Sequence, residues 1–144
     1  MAAACGDGGG GGAIAFETIE KGDLSGIELS EPQVFTIATD GEWEKFWQRH
    51  RAHDTPRPAL PSADFSREMV IAAVDRQEPS GGYRWEISGI EESGGDMLVR
   101  VSKGIPGDGC ILPTVITQPH HIVRLARSDL EPKLVVSEET FECD

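Results

Sequence analysis

The chain has 144 residues, enough for one domain, and 38% of them are apolar, enough to bury a core of that size. With 25 acidic residues against 13 basic ones the formal charge is −12, a field that repels phosphate backbones and argues against a nucleic-acid partner. No run of about 18 apolar residues occurs, so no segment is long and apolar enough to cross a bilayer as a helix, and the absence of asparagine removes N-glycosylation.

The first residues raise a question of compartment. Ala2-Ala3-Ala4-Cys5-Gly6 resembles the end of a bacterial lipobox, where small residues precede a cysteine that is lipidated. The charged and apolar parts of such a signal are then expected upstream of Met1. Residues 6–12 are almost all glycine and read as a disordered spacer with a reach of roughly 15 Å. The expected organisation is a lipidated, disordered tether over 1–13 and a single β-rich domain over 14–144. On this reading the protein is extracytoplasmic and touches a membrane only through Cys5; the competing reading is a disordered tail with an incidental thiol. If Cys5 carries lipid, Cys110 and Cys143 remain as an even pair in an oxidising compartment. A disulfide between them would contribute about 4 kcal/mol on the chain-entropy picture. Their spacing alone does not bring them within bridging range.

Phe16–Ile19 and Gln33–Ala38 are short β-rich runs separated by turn material. Thr39 stands three residues before Glu42, the spacing of a capping box, and Trp43, Phe46, Trp47 and His50 then fall on one stripe of a helix ending near Arg51. Three prolines between His53 and Pro61 make an extended loop. EMVIAAVD (68–75) is a continuous apolar run of strand length and reads as a strand buried on both faces. GYRWEIS alternates, with Tyr83, Trp85 and Ile87 on one face, and its phase slips before Ile90, which places a bulge at Gly89. A turn at ESGGD leads into DMLVRVSK as a hairpin, and HIVRLAR and KLVVSEE supply two more strands. The sum is a mainly β (α+β) domain, an antiparallel sandwich or barrel of about seven strands with one helix packed on it.

Side chains able to do chemistry are few. His50 and His53 read as a surface pair, and His120 and His121, being neighbours on a strand, point to opposite faces, so no metal site is expected. Cys110 lies ten residues before His120, which allows a thiol enzyme using Cys110 as nucleophile, but no orienting group accompanies them. Phosphate-binding glycine motifs lack the required strand, turn and helix context. Neither a catalytic residue nor a cofactor is expected.

Three segments stand out: EPSGGYRW (78–85), GIPGDGC (104–110) and TQPHHIV (117–123), each with glycine or proline at a strand end. The block formed by Gly81-Gly82-Tyr83, Pro106-Gly107-Asp108-Gly109, and Thr117, Pro119, Ile122 and Val123 resembles the PrcB family, named for accessory subunits of secreted bacterial protease complexes. FETIEKGDLSGI (16–27) and EWEKFW (42–47) extend the likeness upstream. The resemblance implies a secreted or lipid-anchored domain associated with proteolysis, whose partner is another protein such as a protease. EPSGGYRW also resembles the first loop of chagasin-type cysteine protease inhibitors, with a glycine-rich loop and a proline loop following in the same order. Glu78, Gly81, PGDG and the residue after Pro119 depart from that pattern. The expected partner-binding residues are Pro79, Ser80, Gly81, Gly82 and Tyr83, then Pro106, Gly107, Asp108 and Gly109, then Gln118, Pro119 and His120. The expected role is a non-catalytic accessory or stabilising subunit of a protease or envelope complex, with protease inhibition as the alternative.

Overall fold

Six successive residues, Met69 to Val74, are all apolar because both faces of their strand are covered. The computed structural model describes residues 12–143. Its elements are β1 (Gly12–Ala13), β2 (Phe16–Gly22), β3 (Gln33–Ile37), α1 (Asp40–His50), β4 (Glu68–Val74), β5 (Arg84–Ser93), β6 (Asp96–Pro106), β7 (His120–Ala126) and β8 (Glu131–Phe141). Two four-stranded sheets form, one ordered β1-β5-β6-β8 and the other β2-β7-β4-β3. Met69, Ile71 and Ala73 of β4 join Trp85, Ile87, Val99, Val101, Val123 and Leu125 between the sheets. The alternate residues Val70, Ala72 and Val74 pack with Ile122 against Trp43, Phe46 and Trp47 of α1. The order is therefore helix, sheet, sheet, with the middle layer buried on both sides.

Local chemistry sets each boundary. Thr39 caps α1, its hydroxyl accepting from the Glu42 N–H at 3.1 Å while the Glu42 carboxylate accepts from the Ala38 N–H at 2.8 Å. The helix ends at Arg51. The proline loop then folds back over α1, because the Trp43 and Trp47 indoles donate to the carbonyls of Pro61 and Pro58. The β5–β6 hairpin turns at Gly94 and Gly95, both at positive φ, and its register shifts between Ile87 and Gly89, where the sequence pattern places the bulge.

Two expectations change. The sandwich is not wholly antiparallel: β6 and β8 pair in parallel, because the chain crosses to the other sheet for β7 before returning beside β6. Gly12 and Ala13, assigned to the tether, instead pair with Glu92 and Glu91 of β5. Cys5 lies outside the described residues. The cap gives a direct test: Thr39→Ala is expected to lower stability by about 1 kcal/mol in urea denaturation, and an unchanged midpoint would contradict the capping assignment.

Candidate functional site

The three glycine- and proline-bearing segments meet at one end of the sandwich. Glu78 and Thr117 exchange backbone hydrogen bonds, 2.8 Å and 3.0 Å long, and the Thr117 hydroxyl donates to the Ser80 carbonyl at 2.8 Å. The Gly81 N–H donates to the Pro113 carbonyl at 3.0 Å. Gly82 has φ +95°, and a Cβ there would lie 2.5 Å from Leu112 Cδ2 and 3.7 Å from Pro106 Cγ. Glycine is required at that point by both backbone conformation and space. On the third segment the Gly107 N–H bonds to the Phe141 carbonyl, and Cys110 is joined to Cys143 by a disulfide with Cα atoms 4.8 Å apart. The bridge staples the loop after β6 to the end of the chain, and it consumes the thiol that a nucleophile at Cys110 would need.

Not every expected contact residue faces outward. Pro79, Gly82, Asp108 and Gly109 are exposed, and Ser80, Tyr83, Pro106 and Gly107 are half-buried. Gly81 is buried against Pro113. Gln118, Pro119 and His120 are also buried, which corrects their assignment to the rim. Their polar atoms are already engaged. The Gln118 amide donates to the Asp75 carbonyl and accepts from the Glu28 N–H, the Pro119 carbonyl accepts from the Asp75 N–H, and His120 turns inward beneath the helix. The outward part of this stretch is the preceding one, residues 111–116. There Ile111 is fully exposed, Ile116 64% and Val115 48%, with Leu24 at 59% nearby on the loop after β2. Apolar residues without strand alternation, set between Cys110 and Pro119 in a turn-rich stretch, are the signal that could have found them.

Beneath this rim lies a buried charge cluster. Lys103 Nζ is 2.9 Å from Asp75 Oδ2 and 2.5 Å from Glu78 Oε2, and all three side chains are almost wholly inaccessible. Tyr83 and Trp85 stand with ring centroids 5.6 Å and 5.9 Å from the ammonium. Lys103, Tyr83, Arg84, Trp85 and Phe141 line an open cleft of about 930 Å³, where the Arg84 guanidinium sits 3.6 Å over the Phe141 ring. Burial pushes the Asp75 carboxyl up to about 6, against the pull of Lys103. Burial acts the same way on Glu78 and is the largest single influence, but the Lys103 ammonium and the hydrogen bonds from Asp75 and Arg76 together outweigh it and hold that carboxyl below its usual range. Lys103 is held charged: burial lowers its affinity for the proton, and its two carboxylate partners more than restore it. One ammonium thus serves two acids, and Asp75 is the first to take a proton.

This cluster joins the three segments, because Glu78 opens the first, Lys103 precedes the second and Asp75 holds the third through Gln118 and Pro119. A folded-state pKa raised above the unfolded value means stability that is present at low pH and lost as pH rises through the interval between them. For Asp75 that interval runs from about 4 to about 6. The stability of the wild type minus that of Asp75→Asn is therefore expected to fall by roughly 1 to 3 kcal/mol across this interval, read from urea midpoints. Lys103→Met, which strands two buried carboxylates, is expected to cost about 3 to 5 kcal/mol near neutral pH. Parallel pH curves for wild type and Asp75→Asn would contradict the assignment.

Neither a curated protein nor a solved structure matches the chain. A family model does: the one described as PrcB C-terminal covers residues 69–126. Those limits have a structural meaning, since they run from the start of β4 to the end of β7, and Met69 pairs directly with Leu125. The matched segment is thus a unit closed by its own first and last strands, and it carries all three rim segments. Over this β4 to β7 unit the chain is similar to the PrcB C-terminal family.

Proposed function

We propose that the protein is a non-catalytic protein-binding module, an accessory or stabilising subunit of a protease or envelope complex, tethered outside the cytoplasm through Cys5. The PrcB C-terminal match supports a protease-associated accessory role. The single observation that carries the docking surface is the convergence of the three segments into one stapled rim bearing exposed Ile111, Val115 and Ile116. Such a rim suits association, because loops already fixed by hydrogen bonds, a disulfide and glycine packing lose little conformational entropy when a partner docks. Apolar tips supply the contact energy, about 1.5 to 3 kcal/mol for each aliphatic side chain fully buried.

The same end-of-sandwich geometry is what a chagasin-like inhibitor would need, so the two readings part on outcome rather than on location. The tagged chain is expected to co-purify in fixed ratio with a protease from the envelope or culture fluid of its source, and to prolong that enzyme's activity. Ile111→Ser combined with Ile116→Ser is expected to reduce recovery at least about tenfold, since tenfold corresponds to about 1.4 kcal/mol. Undiminished recovery with the double variant would remove the rim from the interface. Inhibition of papain at micromolar protein would favour the inhibitor reading instead.

A further inference from the structure

The end of α1 and the sheet face beneath it enclose three groups that the rim does not use, and two of them lie outside the matched segment. Glu20 comes from β2, His50 from the last turn of α1 and His120 from the start of β7, and one ligand atom from each lies within 4.8 Å of the others. Both imidazoles aim Nε2 at one oxygen. Glu20 Oε1 is 2.6 Å from His50 Nε2 and 3.0 Å from His120 Nε2, and the rings stand edge to face at 84°.

The outer atoms of the three groups decide what the inner ones present. His120 Nδ1 lies 3.2 Å from the Gln118 carbonyl oxygen, which can only accept, so Nδ1 carries the hydrogen. Nε2 of the neutral ring is then a lone pair turned toward a carboxylate, an arrangement that calls for a proton or a metal cation between them. His50 Nδ1 meets Ser25 Oγ at 2.9 Å, and that hydroxyl, already accepting from the Ile27 N–H, has a second lone pair for an Nδ1–H. Glu20 Oε2 is held by the Arg51 guanidinium, which also grips Asp54, leaving Oε1 as the inward oxygen. Backing of the far ring nitrogen by a carbonyl or hydroxyl, and of a carboxylate by a donor, is how metal ligands are oriented and kept basic.

We propose that Glu20, His50 and His120 form a transition-metal site, with zinc the ion that two imidazoles and one carboxylate suit best. Four-coordinate zinc with bonds of about 2.0 to 2.2 Å needs its ligand atoms about 3.3 Å apart, so the two short spacings open by less than about 1 Å on binding. Gly22 leaves room for this adjustment: a Cβ there would stand 3.3 Å from His120 Nε2. A cleft lined by Ser25, Gly26, His50 and Arg51 opens beside His50, and solvent is the expected fourth ligand. Because the three groups come from β2, α1 and β7, the ion pins the helix to the sheet and favours the folded chain.

The test uses the full chain without a histidine tag, carrying Cys5→Ser throughout so that the third cysteine supplies no thiolate. Zinc in competition with a chromogenic chelator is expected to bind at one ion per chain, and cobalt in its place to show the intense visible bands of four-coordinate geometry. Glu20→Gln and His120→Ala are expected to weaken zinc binding at least about 100-fold, and Ser25→Ala about 10- to 100-fold by releasing His50. His53→Ala, outside the cluster, leaves it unchanged. Zinc bound no more tightly by the parent than by His120→Ala, or a weak six-coordinate cobalt spectrum, would overturn the site and leave Glu20, His50 and His120 as a hydrogen-bonded cluster only. If a ligand variant does not fold, the cobalt spectrum of the parent and the zinc affinity of Ser25→Ala decide the matter.

Discussion

The two-sided burial of the β4–β7 pair is the constraint from which the rest follows. Seven paired residues, Glu68 with Ala126 through Val74 with His120, fix these strands against each other, while the helix closes one face and the second sheet the other. A strand buried on both faces cannot slip its register without exchanging one core for the other. The positions where β4 ends and β7 begins are therefore fixed, and those positions anchor the loops. Asp75 and Glu78 follow β4 directly, and Thr117 to Pro119 lead straight into β7.

Fixing the strand ends forces polar groups into the interior, and the chain satisfies them locally. The Asp75 and Glu78 carboxylates share Lys103 from the neighbouring sheet, so the charge cluster bridges the two layers where the apolar core gives out. An unpaired buried charge is costly, and an arrangement in which each of the three depends on the others confines the loops to one geometry. On the opposite face of β7, His120 plays the equivalent part toward Glu20 and the helix. The family match ends where this strand pair ends. The elements it omits are β1, β2, β3, α1 and β8, and two of these furnish Glu20 and His50.

Local patterns in the sequence were legible to the residue. The capping box at Thr39, the helical stripe from Trp43 to His50, the doubly buried strand and the bulge at Gly89 all depend on neighbours within a few positions, and each appears where the pattern puts it. What could not be read was long-range. The parallel pairing of β6 with β8 depends on the crossover through β7, which leaves no periodic trace. In sequence the histidine beside His50 is His53, whereas the groups His50 faces are 30 residues upstream and 70 downstream in the chain. Glycine and proline mark the rim but not its orientation, and nothing local in the sequence shows that Gln118 and Pro119 turn inward to the carbonyl and amide of Asp75.

Stiffness of the rim is the property on which its use as a docking surface rests, and native-state amide hydrogen exchange measures it directly. The amides of Glu78, Gly81 and Thr117, which bond to Thr117, Pro113 and Glu78, are expected to be protected to within about tenfold of the β4 and β7 amides. Exchange of these three at the rate of an unstructured peptide, with β4 and β7 still protected, would contradict a pre-formed rim.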